Sequence, residues 1–176
     1  QTPEAGMRRI VPLPLDRTFT VSGTVRLDPD APAEQLDAFL RRTDASLVVT
    51  STGSLEGNLL AVPSAMLDGD PTTRFIGRFD DQVGQAWRVR SNTPFAVDGV
   101  ELDVVVGPRQ SVPTEFLVTV DDVEAGRFPT GLSASDTERV ETIVLPVNAE
   151  SATTVRIEVA ASTDTLTRDW YSNAFI

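Results

Sequence analysis

The chain contains no cysteine, no histidine and no lysine. The first two absences remove cysteine–histidine zinc sites, thiol nucleophiles and Ser-His-Asp triads. They leave open a hard-cation site built from oxygens. The lack of cysteine does not fix the compartment, because a chain of 176 residues can bury enough core to manage without disulfides. Aromatics are also scarce, with two Trp, one Tyr and eight Phe, so flat platforms for stacking are few. No apolar run reaches the ~18 residues that cross a bilayer. Cations are outnumbered: 15 Arg against 26 Asp and Glu give a net charge of −11. That balance argues against nucleic acid, or an anionic membrane surface, as partner. It fits neutral ligands, cations or a basic protein.

What is present is enough apolar material, 40% of residues, for a folded body. Residues 1–16 are Pro-rich and read as a lead-in; one domain is expected over 17–176. "QTPEAGMRRI" has no initiator Met and no apolar stretch, so it is not expected to be a signal peptide. The chain is expected to be a processed product or a piece of a longer protein.

"RTFTVSGTVRL" alternates, with Phe19, Val21, Val25 and Leu27 against Thr20, Ser22, Thr24 and Arg26, which predicts a half-buried strand with a bulge at Gly23. "PAEQLDAFLRR" places Leu36, Phe39 and Leu40 at helical spacing, with Pro32 suited to its first turn and Arg41 and Arg42 to its last. Further strands are expected in "SLVVTST", "QAWRVRS", "VDGVELDVVVG", "TEFLVTVDD", "VETIVLPV" and "TTVRIEVAAS", with a turn at "SNTPF". "DDVEAGRFPTGLSASDTERVE" reads as loop. Many short strands, one short helix and no βαβ rhythm predict an all-β sandwich.

One segment concentrates unusual residues: Ala65-Met-Leu-Asp-Gly-Asp-Pro-Thr-Thr-Arg-Phe75. Ala65, Met66 and Leu67 are expected to anchor it, and Phe75 to return the chain to the core. Gly69 permits positive φ and Pro71 fixes its own. Asp68, Asp70, Thr72 and Thr73 can bond their local backbone. Two readings stand: a self-satisfied polar turn, or a calcium site in which Asp68, Asp70 and the Thr73 hydroxyl supply some of about 6–8 oxygens. The spacing is not that of an EF-hand.

"PSAMLDGDPTTRF" resembles the Asp-Gly-Asp-Pro-x-Thr-x-aromatic signature of discoidin-like (F5/8 type C) domains. "SLVVTSTG", "GQAWRVRSNTPFAVDGVELDV" and "TTVRIEVAAS" resemble strands of the same family, so the likeness runs over about residues 46–162. It implies a galactose-binding-like β-sandwich (jelly roll), many of which are carbohydrate-binding modules. It implies a structural Ca²⁺ held by Asp68, Asp70 and Thr73, with main-chain oxygens near Ala65 and Pro71. A late acidic residue usually completes that site; here only Asp169 is at hand, and the ending "DWYSNAFI" departs from the family's pattern. Phe75 stands where the family usually has Trp, and Trp87 at its core tryptophan. With its N-terminal strand and Arg-only cations, the chain also resembles extracytoplasmic portions of actinobacterial arabinofuranosyltransferases, membrane enzymes that build cell-wall arabinan. The partners so implied are cell-wall polysaccharide or oligosaccharide and neighbouring domains of a larger protein, in the cell envelope.

Sugar recognition needs aromatic faces and groups that reach hydroxyls. Phe79, in "RFIGRFDDQ", is flanked by Arg74, Arg78, Asp80, Asp81 and Gln82, and family loops here often form the ligand rim. The same charges would serve equally as surface ion pairs worth about 0–1 kcal/mol. Arg127 with Phe128, and Asn92 with Arg109, are further rim candidates. Trp170 and Tyr171 are either an exposed aromatic pair or a terminal strand docked inward. Trp87 is expected in the core. No nucleophile motif or phosphate loop is present, so the chain itself is expected not to be an enzyme. The expected function is carbohydrate binding; the alternative is a structural or protein-interaction sandwich that packs on its parent and binds no sugar.

Overall fold

The computed structural model describes residues 20, 22–24, 28, 31, 35–37, 46–55, 58, 60–78 and 82–163. Strands β1 (Leu47–Ser51), β2 (Ala86–Val97), β3 (Val100–Val106), β4 (Pro113–Val120), β5 (Val123–Pro129), β6 (Arg139–Leu145) and β7 (Ala149–Ser162) form two sheets. The larger has the order β1-β2-β7-β4-β5; the smaller pairs β3 with β6. Every pairing is antiparallel. The described chain is thus an all-β sandwich with a short helical stretch at residues 35–37.

The alternation in the sequence explains the layers. Val155, Ile157 and Val159 of β7 point inward with Phe116 and Val118 of β4, while Leu145 arrives from β6 in the other sheet. Leu102 and Ile143 of the small sheet pack on the same cluster. β-branched residues suit these pleated, half-buried surfaces. Asp98 and Gly99, with φ of 146° at the glycine, carry the chain from β2 in the large sheet to β3 in the small one.

The structure corrects several expectations. "SNTPF" is not a turn: β2 runs through it to Val97, with register shifts on either side of Phe95. The bulge lets Phe95 pack against the core while Pro94, which has no amide to donate, sits where pairing is interrupted. "VEAGRFP" is not a loop but the edge strand β5. Its polar composition hides it, since only one neighbour pairs with it. Asp121 and Asp122 both have positive φ, 47° and 63°, as a two-residue I′ hairpin turn requires. In "RTFTVSGTVRL" only residues 20 and 22–24 are described. They are irregular and exposed, so no strand forms at those positions. Phe19, Val21, Val25 and Leu27, the apolar parity of that segment, lie outside the described residues.

The helical stretch is tied to the rest of the fold. Leu36 is buried. The Asp37 carboxylate accepts from the Ser64 amide at 3.1 Å and from the Ser64 hydroxyl. Ser64 lies in a 3-10 turn, Pro63–Met66, just before the Asp-Gly-Asp segment.

Candidate functional site

The 3-10 turn delivers the chain to the acidic loop. Ala65 is buried as expected, but Leu67 is 45% exposed and anchors nothing. The turn ends at that residue, whose amide bonds the Ser64 carbonyl, and its side chain faces outward. Gly69 then adopts φ of 70°. Asp68 Oδ1 accepts from the Asp70 amide at 3.0 Å. Asp70 Oδ1 accepts from the Thr72 amide at 2.8 Å and hydroxyl at 2.6 Å. The Thr73 hydroxyl lies 2.9 and 2.7 Å from the two Asp68 carboxylate oxygens and 3.0 Å from the Asp70 carbonyl oxygen.

Beyond the loop, Phe75 meets Trp87 edge to face at 5.4 Å and 89°, and Trp87 lies 6.3 Å from Phe116 of the core. Phe75 therefore returns the chain to the sandwich. Trp87 Nε1 is buried with no hydrogen-bond partner among the described residues. The segment is closed further by the Leu55 amide on the Ile76 carbonyl and by Gln85 Nε2 on the Gly53 carbonyl, both at 2.9 Å.

The donor set of the acidic loop fits a hard cation in kind. All its groups are oxygens and two are carboxylates. Around the Thr73 hydroxyl three acceptor oxygens lie within 3.0 Å, and one hydroxyl proton cannot serve all three at once. The number is short: among the described residues no three His, Cys, Asp or Glu converge as a metal site. Hydroxyl and main-chain oxygens would have to supply the balance of about 6–8. Asp68 and Asp70 make further contacts besides these. Asp169 lies outside the described residues.

Of the rim candidates, Arg74, Arg78 and Gln82 lie on one loop. Arg74 Nη1 donates to Glu138 Oε1 at 3.2 Å, and Gln110 Nε2 donates to Glu138 Oε2 at 3.2 Å. This ties the motif loop to the β3–β4 and β5–β6 connections at one end of the sandwich. The Arg78 guanidinium lies across Gly53, where a Cβ would fall 2.5 Å from Nε, so that glycine has no room for a side chain while the arginine stays. Gln82 Nε2 bonds the Arg78 carbonyl at 2.7 Å. Arg127 is elsewhere: it sits on edge strand β5 and pairs with Glu115 at 3.0 Å. Phe79, Asp80, Asp81, Trp170 and Tyr171 lie outside the described residues. Glu138 and Gln110 were not singled out in the sequence. They stand 64 and 36 residues from Arg74 (138 − 74 and 110 − 74), and no local pattern marks them.

One carboxyl has a perturbed acidity. Asp121 is held below its ordinary value of 3.8, chiefly by the Thr153 amide and then by the Thr153 hydroxyl; slight desolvation opposes this and the Thr154 amide assists. Its Oδ1 accepts those bonds at 3.0, 2.8 and 2.9 Å.

No protein-family model matches the chain, and no curated protein matches it. Among solved structures it is similar to the family 32 carbohydrate-binding module of C. perfringens NanJ, solved in complex with galactose. The two are 13% identical over 68% of this chain and 85% of that one, with a TM-score of 0.47. It is also similar to a putative alpha-L-fucosidase from Bacteroides thetaiotaomicron, 16% identical over 68% of this chain, with a TM-score of 0.46. The match spans 25% of the fucosidase chain.

Proposed function

We propose that the chain is a non-catalytic carbohydrate-binding module of the discoidin-like kind, accessory to an extracytoplasmic enzyme of cell-wall glycan. The resemblance of its sequence to arabinofuranosyltransferase segments makes arabinan or a related glycan the first ligand to test. The observation that carries this reading is the fold of the signature itself. Asp68, Asp70 and Thr73 close one loop, and Phe75 seats that loop on Trp87. The neighbouring rim, with Arg74, Arg78 and Gln82, offers donors suited to sugar hydroxyls. Binding would be non-covalent and would raise the local concentration of glycan beside a catalytic domain. Ca²⁺, held by Asp68, Asp70, Thr73 and main-chain oxygens near Ala65 and Pro71, would brace the loop without touching sugar.

The test is calorimetric and NMR titration with arabinan and galactan oligosaccharides, with and without chelator. Shifts confined to the loops around Arg74 and Glu138 are expected at millimolar sugar. Absence of heat and of shifts with every glycan at that concentration sinks the lectin reading.

A second reading has its own support. Val140 and Val144, on the same face of β6 with Thr142 between them, are 60% and 63% exposed on the outer side of the two-stranded sheet. Such an apolar pair suits packing against a neighbouring domain, as a purely structural module would.

A further inference from the structure

The outer face of the five-stranded sheet carries an arrangement that stability alone does not favour. On adjacent strands Arg88 of β2 stands directly opposite Arg156 of β7. Like charges directly opposite are unfavourable in a sheet. The row runs Thr50, Arg88, Arg156, Thr119 and then Glu124, so no carboxylate is placed directly across from either arginine. Arg90, two residues along the same face, stands opposite Val48 and Thr154. Among the described residues it has no ion-pair partner. Three of the 15 cations thus gather on one face of a chain whose net charge is −11.

The existing counter-charges leave donors unused. Arg88 meets Asp122 only at 3.4 Å, with the side chains 46% and 78% exposed. Arg156 pairs with Glu158 on its own strand, at 27% and 24% exposure. A guanidinium has five N–H donors in a planar fork, and one carboxylate takes two of them at most. Both arginines line a shallow groove of about 150 Å³, together with Thr50, Thr52 and Ala86. That is below the ~300–1,000 Å³ of a drug-sized ligand pocket. It suits a single charged group, with the remainder of the ligand lying along the sheet.

We propose that Arg88 and Arg156 form an oxyanion subsite that takes the carboxylate of an acidic glycan, with Arg90 beside it. The kind of molecule rests on the carbohydrate-binding reading above; the anion chemistry rests on the arginines alone. The subsite belongs to the sheet face, whereas the neutral-sugar rim belongs to the loop end. An acidic chain repels anions at long range, so the guanidinium pair acts by local, fork-shaped contact and not by steering. Arg88 and Arg156 keep 46% and 27% of their side chains exposed, so their direct attraction for the anion is screened, and binding weakened, by added salt.

The experiment is NMR titration of the full chain with oligogalacturonate, neutral galactan oligosaccharide, inorganic phosphate, sulfate and a poly-glutamate peptide. Shifts of Thr50, Arg88 and Arg156 with oligogalacturonate, lost with rising salt, support the subsite. Arg88→Gln is expected to weaken that binding about ten-fold or more. Arg88→Lys, which keeps the charge but not the fork, is expected to restore only part. An Arg88→Gln Tm no lower than the parent's, with unchanged loop shifts, shows that the variant is folded. If oligogalacturonate leaves the sheet face unmoved while neutral glycan shifts the loop end, this inference fails and the carbohydrate reading stands. If the sheet face responds and no neutral glycan binds, the loop-end reading fails instead. A response to poly-glutamate, phosphate or sulfate equal to that of oligogalacturonate overturns the glycan assignment and leaves a general anion site.

Discussion

Two pairs of aspartates turn this chain, and they do so by opposite means. Asp68 and Asp70 bond to groups two to five residues away, within their own loop. Asp121 reaches across 32 and 33 residues to Thr153 and Thr154 on β7. A local bond persists in part in the unfolded chain, so making it on folding adds little. A bond between distant residues exists only when the sheet is assembled. Asp121 is thus a determinant of stability, and Asp68 and Asp70 are determinants of loop shape.

The largest effect is expected at Asp121. Asp121→Asn keeps a residue that tolerates the positive φ of 47°, and removes the charge that three donors hold. The folded acidity of this group lies below its ordinary value of 3.8. Its contribution to stability is therefore fully present above that value and is lost as pH falls through the lower folded value. The variant should melt below the parent at pH 7, with the gap closing as pH falls through the lowered value, solvent around this exposed carboxylate keeping the gap modest. A gap that stays constant down to acid pH would show that the carboxylate charge does not staple the β4–β5 turn to β7.

The contrast also shows what the sequence discloses. Phe116, Val118 and Val120 alternating in β4, and Val155, Ile157 and Val159 in β7, declare a buried face directly, and those strands lie where the pattern predicts. The Asp-Gly-Asp loop is legible because the hydrogen bonds that shape it, from Asp68 and Asp70 to Thr72 and Thr73, lie within a few residues. β5 is not legible, because an edge strand that sets only Phe128 against the core shows no run of apolar alternation, and its turn is marked only by two consecutive aspartates. Nor is the Arg88–Arg156 juxtaposition, which exists only once the β2–β7 register is known. The Arg74–Glu138 contact is invisible likewise. Arg127 reads as a rim residue from its neighbours, yet β5 carries it to the far edge from β1.

A smaller effect is expected at the acidic loop. In calcium-free buffer, the double variant Asp68→Asn, Asp70→Asn should lower Tm less than Asp121→Asn does. Calcium supplies the sharper half of the comparison. If the ion binds the folded loop, adding it at about 100 times its dissociation constant stabilises the parent by about 2.7 kcal/mol. The double variant should gain nothing. Equal melting of the parent with calcium and with chelator would reduce the loop to a self-bonded turn.

The smallest effect is expected where the loop meets its neighbours. Arg74 and Glu138 pair at 3.2 Å with 52% and 54% of their side chains exposed. Such a pair is worth about 0–1 kcal/mol. Glu138→Gln should accordingly leave Tm within about 4 °C of the parent. Its value lies in what it does to ligand. If Arg74 reaches sugar, removing the carboxylate that competes for its guanidinium should strengthen glycan binding, whereas Arg74→Gln should weaken it. A loop that is only structural predicts the same titration curve for both variants. Opposite shifts from two nearly isostable variants would separate a rim that recognises ligand from one that merely joins three connections.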